Sequence, residues 1–386
     1  MPALTTGWHN WGARTRMATL VQRTEILRGL LSGEKARTGP FYVDVDLTNR
    51  CNLKCVGCLY HSPYLEDRPQ VDSLAGDLPL SLFERLCSEL KAMGTTTLVL
   101  QGAGEPMLHP DLPEIVQVAK SHGFYVELIT NGILLTRETV EALLASRLDR
   151  LKVSFWASSP DQYQYLYPGT DPGYFGKVLD GLKLVAFMKA EHGSDHPLLA
   201  LYQPLNRHNF QTIGEMVELA YGTGCNGLLF APIGNQLGNM SLVALGPEEE
   251  DQVRRSLAQA RQKMKSLGLQ HNIDRVLFRY EMGSDVWKRV PCYMAWLHAR
   301  IRVNGSVQPC GRCDPSVDFG NLNEHSFPEI WNSPAIRAFR RRTMTKDGLA
   351  SMGEQCDCNY CCFIADNFQV HRIFRWLSPF VRLSAG

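Results

Sequence analysis

The chain has 386 residues, with 40 Lys and Arg against 39 Asp and Glu, a net charge of +1. That length supports two or three domains and a core that needs no staples. The charge balance speaks against a nucleic-acid-coating surface, and 44% hydrophobic with 20% charged residues against disorder or coiled coil. No apolar run reaches the ~20 residues of a membrane span. Residues 1–40 lack an apolar segment followed by a small-residue cleavage site, so a cytoplasmic protein is expected.

Residues 15–33 place Leu20, Val21, Ile26, Leu27, Leu30 and Leu31 at helical spacing, which predicts an amphipathic helix in an N-terminal extension, 1–40. From Phe41 a strand–helix rhythm begins. Strands are expected at 42–47, 97–101, 124–129, 150–155, 197–203 and 227–231, with helices at 80–93, 111–122, 136–146, 174–190 and 209–222. Such alternation implies a parallel sheet, because each crossover must return the chain to its starting edge. Six units predict an α/β fold, a partial (β/α)6 TIM-like barrel over 41–245. A charged helix near 247–267 dominates a connecting segment, 246–286. From Trp287 short strands, turns and cysteines take over, with one helix near 326–342, so 287–365 reads as a small cysteine-rich α+β domain. The tail, 366–386, is aromatic and basic. Docking onto the barrel as a cap is expected of it, ahead of contact with an anionic membrane surface.

Ten of the 12 cysteines are clustered, and in a cytosolic chain clustered cysteines point to metal. Cys51, Cys55 and Cys58 directly follow the first strand. Three thiolates at this spacing can reach three corners of one [4Fe–4S] cube from a single loop. A missing fourth ligand leaves one iron open, which is the logic of a catalytic rather than a closed metal site. The alternative is a zinc site that borrows His61. Cys87 fits a helix core face, and Cys225 is expected to be buried.

With Cys51-x3-Cys55-x2-Cys58 in this position, residues 41–235 resemble the radical S-adenosylmethionine (SAM) superfamily. The resemblance implies that the open iron chelates SAM. The reduced cluster then cleaves SAM to methionine and a 5′-deoxyadenosyl radical, which takes hydrogen from a substrate. Gln101-Gly102-Ala103-Gly104-Glu105-Pro106 is similar to the family's glycine-rich segment, where Glu105 would accept from the SAM ammonium. Asn131 lies in a Thr-Asn-Gly segment common at the end of the third strand. Ser154 sits where a ribose contact is often found, and Asn206 and Arg207 are candidates for the SAM carboxylate or ribose. The family usually has an aromatic residue just before the third cysteine. This chain has Gly57 there, and Tyr60 is the candidate substitute against adenine.

In the C-terminal region, Ile301 to Cys310 reads as a hairpin with an Asn304-Gly305 turn that folds Cys310 back toward Cys292. Cys292, Cys310, Cys358 and Cys361 would close a four-thiolate site, for which spacing alone leaves zinc and iron–sulfur equal. Gly305-x4-Cys310, Phe319-Gly-Asn-Leu322, Phe327 to Trp331 and Cys358-x2-Cys361 look like the SPASM/twitch appendage of radical SAM enzymes. That resemblance implies at least one auxiliary [4Fe–4S] cluster, with Cys313, Cys356 and Cys362 spare or building a second, atypical site. The basic run Arg337, Arg340, Arg341, Arg342 and Lys346 reads as a solvated helix face.

The sequence thus predicts a radical SAM enzyme of oxidoreductase type, reduced by a one-electron donor such as flavodoxin or ferredoxin. Appendage-bearing relatives act on peptides or on small sugars and cyclitols. The short N-terminal extension has no room for a leader-binding module, which favours oxidation, dehydrogenation or epimerisation of a small molecule. Radical modification of a peptide side chain is the alternative. A non-catalytic zinc scaffold and a pure electron carrier are the readings from other classes.

Overall fold

The computed structural model describes residues 20–64, 76–233, 242–282, 290–311, 313, 317–345, 347, 351–352, 356 and 361–377. Its strands are β1 (Tyr42–Asp46), β2 (Thr97–Gln101), β3 (Tyr125–Thr130), β4 (Arg150–Ser154), β5 (Leu198–Leu205), β6 (Gly227–Pro232), β7 (Gln270–His271), β8 (His298–Ile301) and β9 (Val307–Gln308). Its helices begin with α1 (Leu20–Ser32), α2 (Leu80–Ala92), α3 (Leu112–Ser121), α4 (Arg137–Ala145), α5 (Pro160–Leu166), α6 (Tyr174–Glu191) and α7 (Ile213–Gly222). They continue with α8 (Pro247–Ser266), α9 (Ile273–Met282), α10 (Met294–Leu297), α11 (Phe327–Trp331), α12 (Pro334–Thr343) and α13 (Ile364–Leu377).

The strands form one sheet in the order β7-β6-β5-β4-β3-β2-β1-β8-β9. Neighbours from β7 to β8 pair in parallel, and β8–β9 is the antiparallel hairpin. The α/β fold with a largely parallel sheet is therefore as expected. The hairpin does more than fold Cys310 back, because β8 extends the sheet beyond β1, with Asp44 opposite Arg300.

Strand alternation separates two environments. Val43, Val45, Leu98, Leu100, Val126 and Leu128 face outward and pack against helix residues such as Phe83, Leu86 and Val116. Each such aliphatic side chain removed from water contributes about 1.5–3 kcal/mol. The alternate residues face inward and are strongly polar. Asp44, Gln101, Glu127, Lys152 and Tyr202 line an internal cavity of about 180 Å³. A parallel sheet covered on both faces normally reads as continuous apolar sequence, so this pattern marks the inner face as a site.

The sheet does not close on itself, and α13 spans the gap. On one side Arg275 of α9 forks onto Asp366 at 3.0 and 2.7 Å, and Phe278 meets Phe368. On the other, the Tyr293 amide donates to Asn367 at 2.6 Å, and Phe363 packs against Tyr42 and His298. Phe374 is buried, so the described part of the tail docks on the barrel. Among the described residues no helix is long and apolar enough to cross a membrane.

One expectation is corrected here. Arg340 is not on a solvated face: it is fully buried, donates to the Ala295 carbonyl, and stacks between Trp296 and Trp331. Burial lowers its pKa, with the neighbouring Arg337 adding to the effect. Arg337 and Arg341 both pair with Glu34. Lys346 lies outside the described residues.

Candidate active site

The loop after β1 carries the first three cysteines, and it is held from several sides. Gly104 and Glu105 donate their amides to the Thr48 and Arg50 carbonyls at 3.0 and 2.8 Å. A Cβ at Gly104 would stand 2.0 Å from the Arg50 oxygen, and one at Gly102 would stand 2.7 Å from the Thr48 oxygen. The two glycines are needed so that the β2 loop can lie directly on the cysteine loop. On the opposite side, the Val56 amide donates to Leu166 at the end of α5.

Burial pushes the Cys51 thiol up to about 12 and the Cys55 thiol well above its ordinary value. Negative charge on Cys58 and Glu105 pushes both further, which places these groups in one microenvironment. Cys51, Cys55 and Cys58 are free thiols on one short loop, the soft donor set that an iron–sulfur cluster takes.

Glu105 is buried and its carboxylate is already engaged. It accepts from the Thr130 hydroxyl at 2.6 Å, the Asn131 amide at 2.7 Å and the Met107 amide at 3.0 Å. Burial raises its pKa, and these hydrogen bonds oppose the rise. Asn131 reaches the cysteine loop by donating to the Asn52 side chain at 2.7 Å. Asn206 is fully buried and locked in its own turn, accepting from the His208 amide and donating to the Pro204 carbonyl. The Arg207 side chain is 42% exposed and stands 3.6 Å from Glu249.

The space that an aromatic side chain at position 57 would occupy is taken by Trp156, just beyond β4. A Cβ on Gly57 would lie 3.0 and 3.2 Å from the indole carbons Cζ3 and Cη2 and 3.2 Å from Val243. The indole N–H donates to Ser154 at 3.0 Å, which fixes the ring. Sequence reasoning missed Trp156. The signal was the pairing of a glycine at 57 with a tryptophan two residues past Ser154. Tyr60 has a different partner: its hydroxyl accepts from Arg302 at 2.9 Å.

In the cysteine-rich region the Cys310 and Cys313 sulfurs are 3.9 Å apart, and Cys313 is joined to Cys356 as a disulfide across an antiparallel bridge. Cys313 and Cys356, expected to be spare or to build a second, atypical site, are thus the residues grouped with Cys310. Once reduced, the three would present their thiolates in one place. Cys292 is held at about 11 by burial, Cys361 is buried beside Val290 and Ile364, and Cys362 faces the barrel cavity. Cys358 lies outside the described residues.

Comparison with known proteins agrees with this geometry. Residues 45–227 match the radical SAM superfamily model, and residues 292–363 match that of the SPASM iron–sulfur cluster-binding domain. The chain is a radical SAM enzyme with a C-terminal SPASM domain. The two domains imply a SAM-binding [4Fe–4S] cluster, auxiliary clusters and SAM itself. Among relatives, the PqqA peptide cyclase of Methylocella silvestris is 28% identical over 314 residues, 79% of this chain and 78% of that one. The PqqA peptide cyclase of Ruegeria pomeroyi is 27% identical over 328 residues, 82% and 80%. Among solved structures, Streptococcus suis SuiB bound to precursor peptide SuiA superimposes with TM-score 0.62 at 16% identity, covering 83% of this chain and 70% of that one. Native anSMEcpe with bound AdoMet gives 0.62 at 15% identity, 88% and 99%. At these identities the structures speak to the fold.

Proposed function

We propose that the protein uses SAM-derived radical chemistry to modify a side chain of a peptide, by cross-linking or a related oxidation. The observation that carries this reading is the match to peptide cyclases across about four-fifths of both chains. It outweighs the preference for a sugar or cyclitol drawn from the short N-terminal extension.

Cys51, Cys55 and Cys58 would hold the cluster that, when bound and reduced, cleaves SAM and so supplies the hydrogen-abstracting radical. Trp156 would give the adenine an aromatic neighbour, with Ser154 keeping the indole in plane. Gly102 and Gly104 bring main chain to the cysteine loop, and Glu105 and Asn131 tie the ends of β2 and β3 to it. The exposed Arg207 guanidinium is the group here that could meet the SAM carboxylate, whereas Asn206 holds its turn. The polar cavity between Gln101, Lys152 and Tyr202 is sized for one side chain. A cross-link takes two hydrogens from the peptide, and a cluster held by the cysteine-rich domain would supply the acceptor for the second electron. A flavodoxin- or ferredoxin-type protein would deliver the initiating electron.

The test is anaerobic reconstitution with SAM and dithionite, with Cys55→Ala as control. 5′-Deoxyadenosine is expected from the wild type only. A synthetic PqqA peptide and a peptide library are then set against a panel of cyclitols. Loss of two hydrogens from a peptide supports the reading, and oxidation of a cyclitol with every peptide untouched overturns it.

A further inference from the structure

A second network joins the two cysteine loops, and the function described so far does not use it. Asp46 ends β1 five residues before Cys51 and is fully buried. Arg300 of β8 donates to it from Nε and Nη2 at 3.0 Å, and Arg302 Nε stands 3.4 Å from the same carboxylate. Two guanidiniums thus share the buried Asp46, and Asp44, opposite Arg300, adds a second carboxylate beside Arg300. The Arg302 guanidinium is turned toward the first cysteine loop. Arg302 Nη1 donates to the Tyr60 hydroxyl, and its guanidinium carbon lies 5.2 Å from the centre of the Tyr60 ring. Tyr60 is two residues past Cys58. At the other end, a Cβ on Gly311 would stand 2.7 Å from Arg300 Nη1, and Gly311 follows Cys310. Contacts therefore run unbroken from the Cys58 loop through Tyr60, Arg302, Asp46 and Arg300 to the Cys310 loop.

We propose that Arg302 is a positioning residue that fastens the Cys51–Cys58 loop to the SPASM hairpin and, by holding a positive charge there, raises the reduction potential of the cluster on that loop. The proposal rests on the assignment of that cluster to Cys51, Cys55 and Cys58. Net charge near a cluster is one of the protein's levers on its potential. A cation stabilises the more negative, reduced state. The Arg302 side chain is only 12% exposed, so solvent screens this charge weakly. The reducing electron must reach this cluster before SAM can be cleaved, so the lever acts on the first step of the chemistry.

The experiment is a redox titration of the reconstituted full chain, following the electron paramagnetic resonance signal that SAM perturbs. Arg302→Gln is expected to move that potential to a more negative value, while Arg302→Lys, which keeps the charge, stays close to wild type. A wild-type potential in Arg302→Gln, with wild-type iron content, overturns the proposal. If Arg302→Gln takes up no iron, Arg302→His decides. Its charge can be titrated away between about pH 6 and pH 9, and a potential that falls no further over that interval than the wild type's own overturns the proposal in the same way. A wild-type chain that shows no SAM-sensitive signal defeats the site assignment instead, and its iron content tells the two failures apart.

Discussion

The indole of Trp156 lies across the backbone of Gly57, so that a single methyl carbon at position 57 would come within 3.0 Å of the ring. The two residues are complementary: the loop gives up an aromatic side chain and the segment just beyond β4 supplies one. Gly57→Phe should therefore weaken SAM binding, because its ring needs the volume that Trp156 fills. Trp156→Ala should weaken it too, by about tenfold or more, since stacking of a base on an aromatic ring is worth about 1–3 kcal/mol. The double variant Gly57→Phe with Trp156→Ala should recover part of the loss. Equilibrium dialysis of SAM against the reconstituted proteins measures all three. Full additivity of the two losses would count against shared use of one space.

The pair formed by Arg275 and Asp366 fastens α13 across the open side of the sheet. Both side chains are mostly shielded, at 14% and 8% exposure. Loss of one partner from a shielded pair leaves a charge without its counterion. Asp366→Asn should lower stability by about 2–3 kcal/mol, with faster amide hydrogen exchange in 364–374 and little change in β2 to β4. Denaturant titration and exchange mass spectrometry test this, and uniform loss of protection across the sheet would mean that α13 is not a separate latch.

Much of this architecture was legible because outward strand positions are aliphatic and the helices between them keep one apolar face, as in Leu82, Phe83, Leu86 and Leu90 of α2. The cysteine triad was legible because its three ligands come from one loop. What escaped depends on contacts between distant segments. Nothing local to Arg300 or Arg302 announces Asp46, about 250 residues earlier, and no spacing rule groups Cys310 with Cys356. Glu105 was read as an acceptor for the SAM ammonium, whereas the fold engages its carboxylate with Thr130 and Asn131 at the end of the next strand. Residue type placed these groups at the site, and only the tertiary fold shows which of their hydrogen-bonding positions are already filled.

Inside the barrel, Glu127 is the shared anion of two cations. Arg150 donates to it at 3.0 Å and Lys152 from its other side, and all three are buried. Glu127→Gln would leave two buried cations without a full counterion, whereas Lys152→Met leaves Glu127 paired with Arg150. The glutamate variant should lose roughly 3–5 kcal/mol and the lysine variant distinctly less. Urea unfolding of both, with iron content as a check on the native state, gives the comparison. Equal losses would mean that Arg150 does not hold Glu127 on its own.

Alkaline pH offers a test that is independent of the clusters. Cys87 sits in the core face of α2, and burial pushes its thiol up to about 12, with Glu84 adding to the rise; burial likewise holds Cys225 at about 11. In the unfolded chain a thiol ionises near 8.5. The folded pKa is the higher one, so each thiol's contribution is complete below the unfolded value. It is lost as pH rises from about 9 toward the folded value. Wild-type stability should therefore fall between pH 8 and pH 10, under reductant to keep the thiols free. Cys87→Ala starts lower, because it trades a packed sulfur for a small void at a cost of about 1 kcal/mol. It should lose less over the same interval, since one titrating group is gone. Denaturation midpoints at the two pH values settle the sign, and a larger alkaline loss in Cys87→Ala than in the wild type would contradict a buried, neutral thiol at that position.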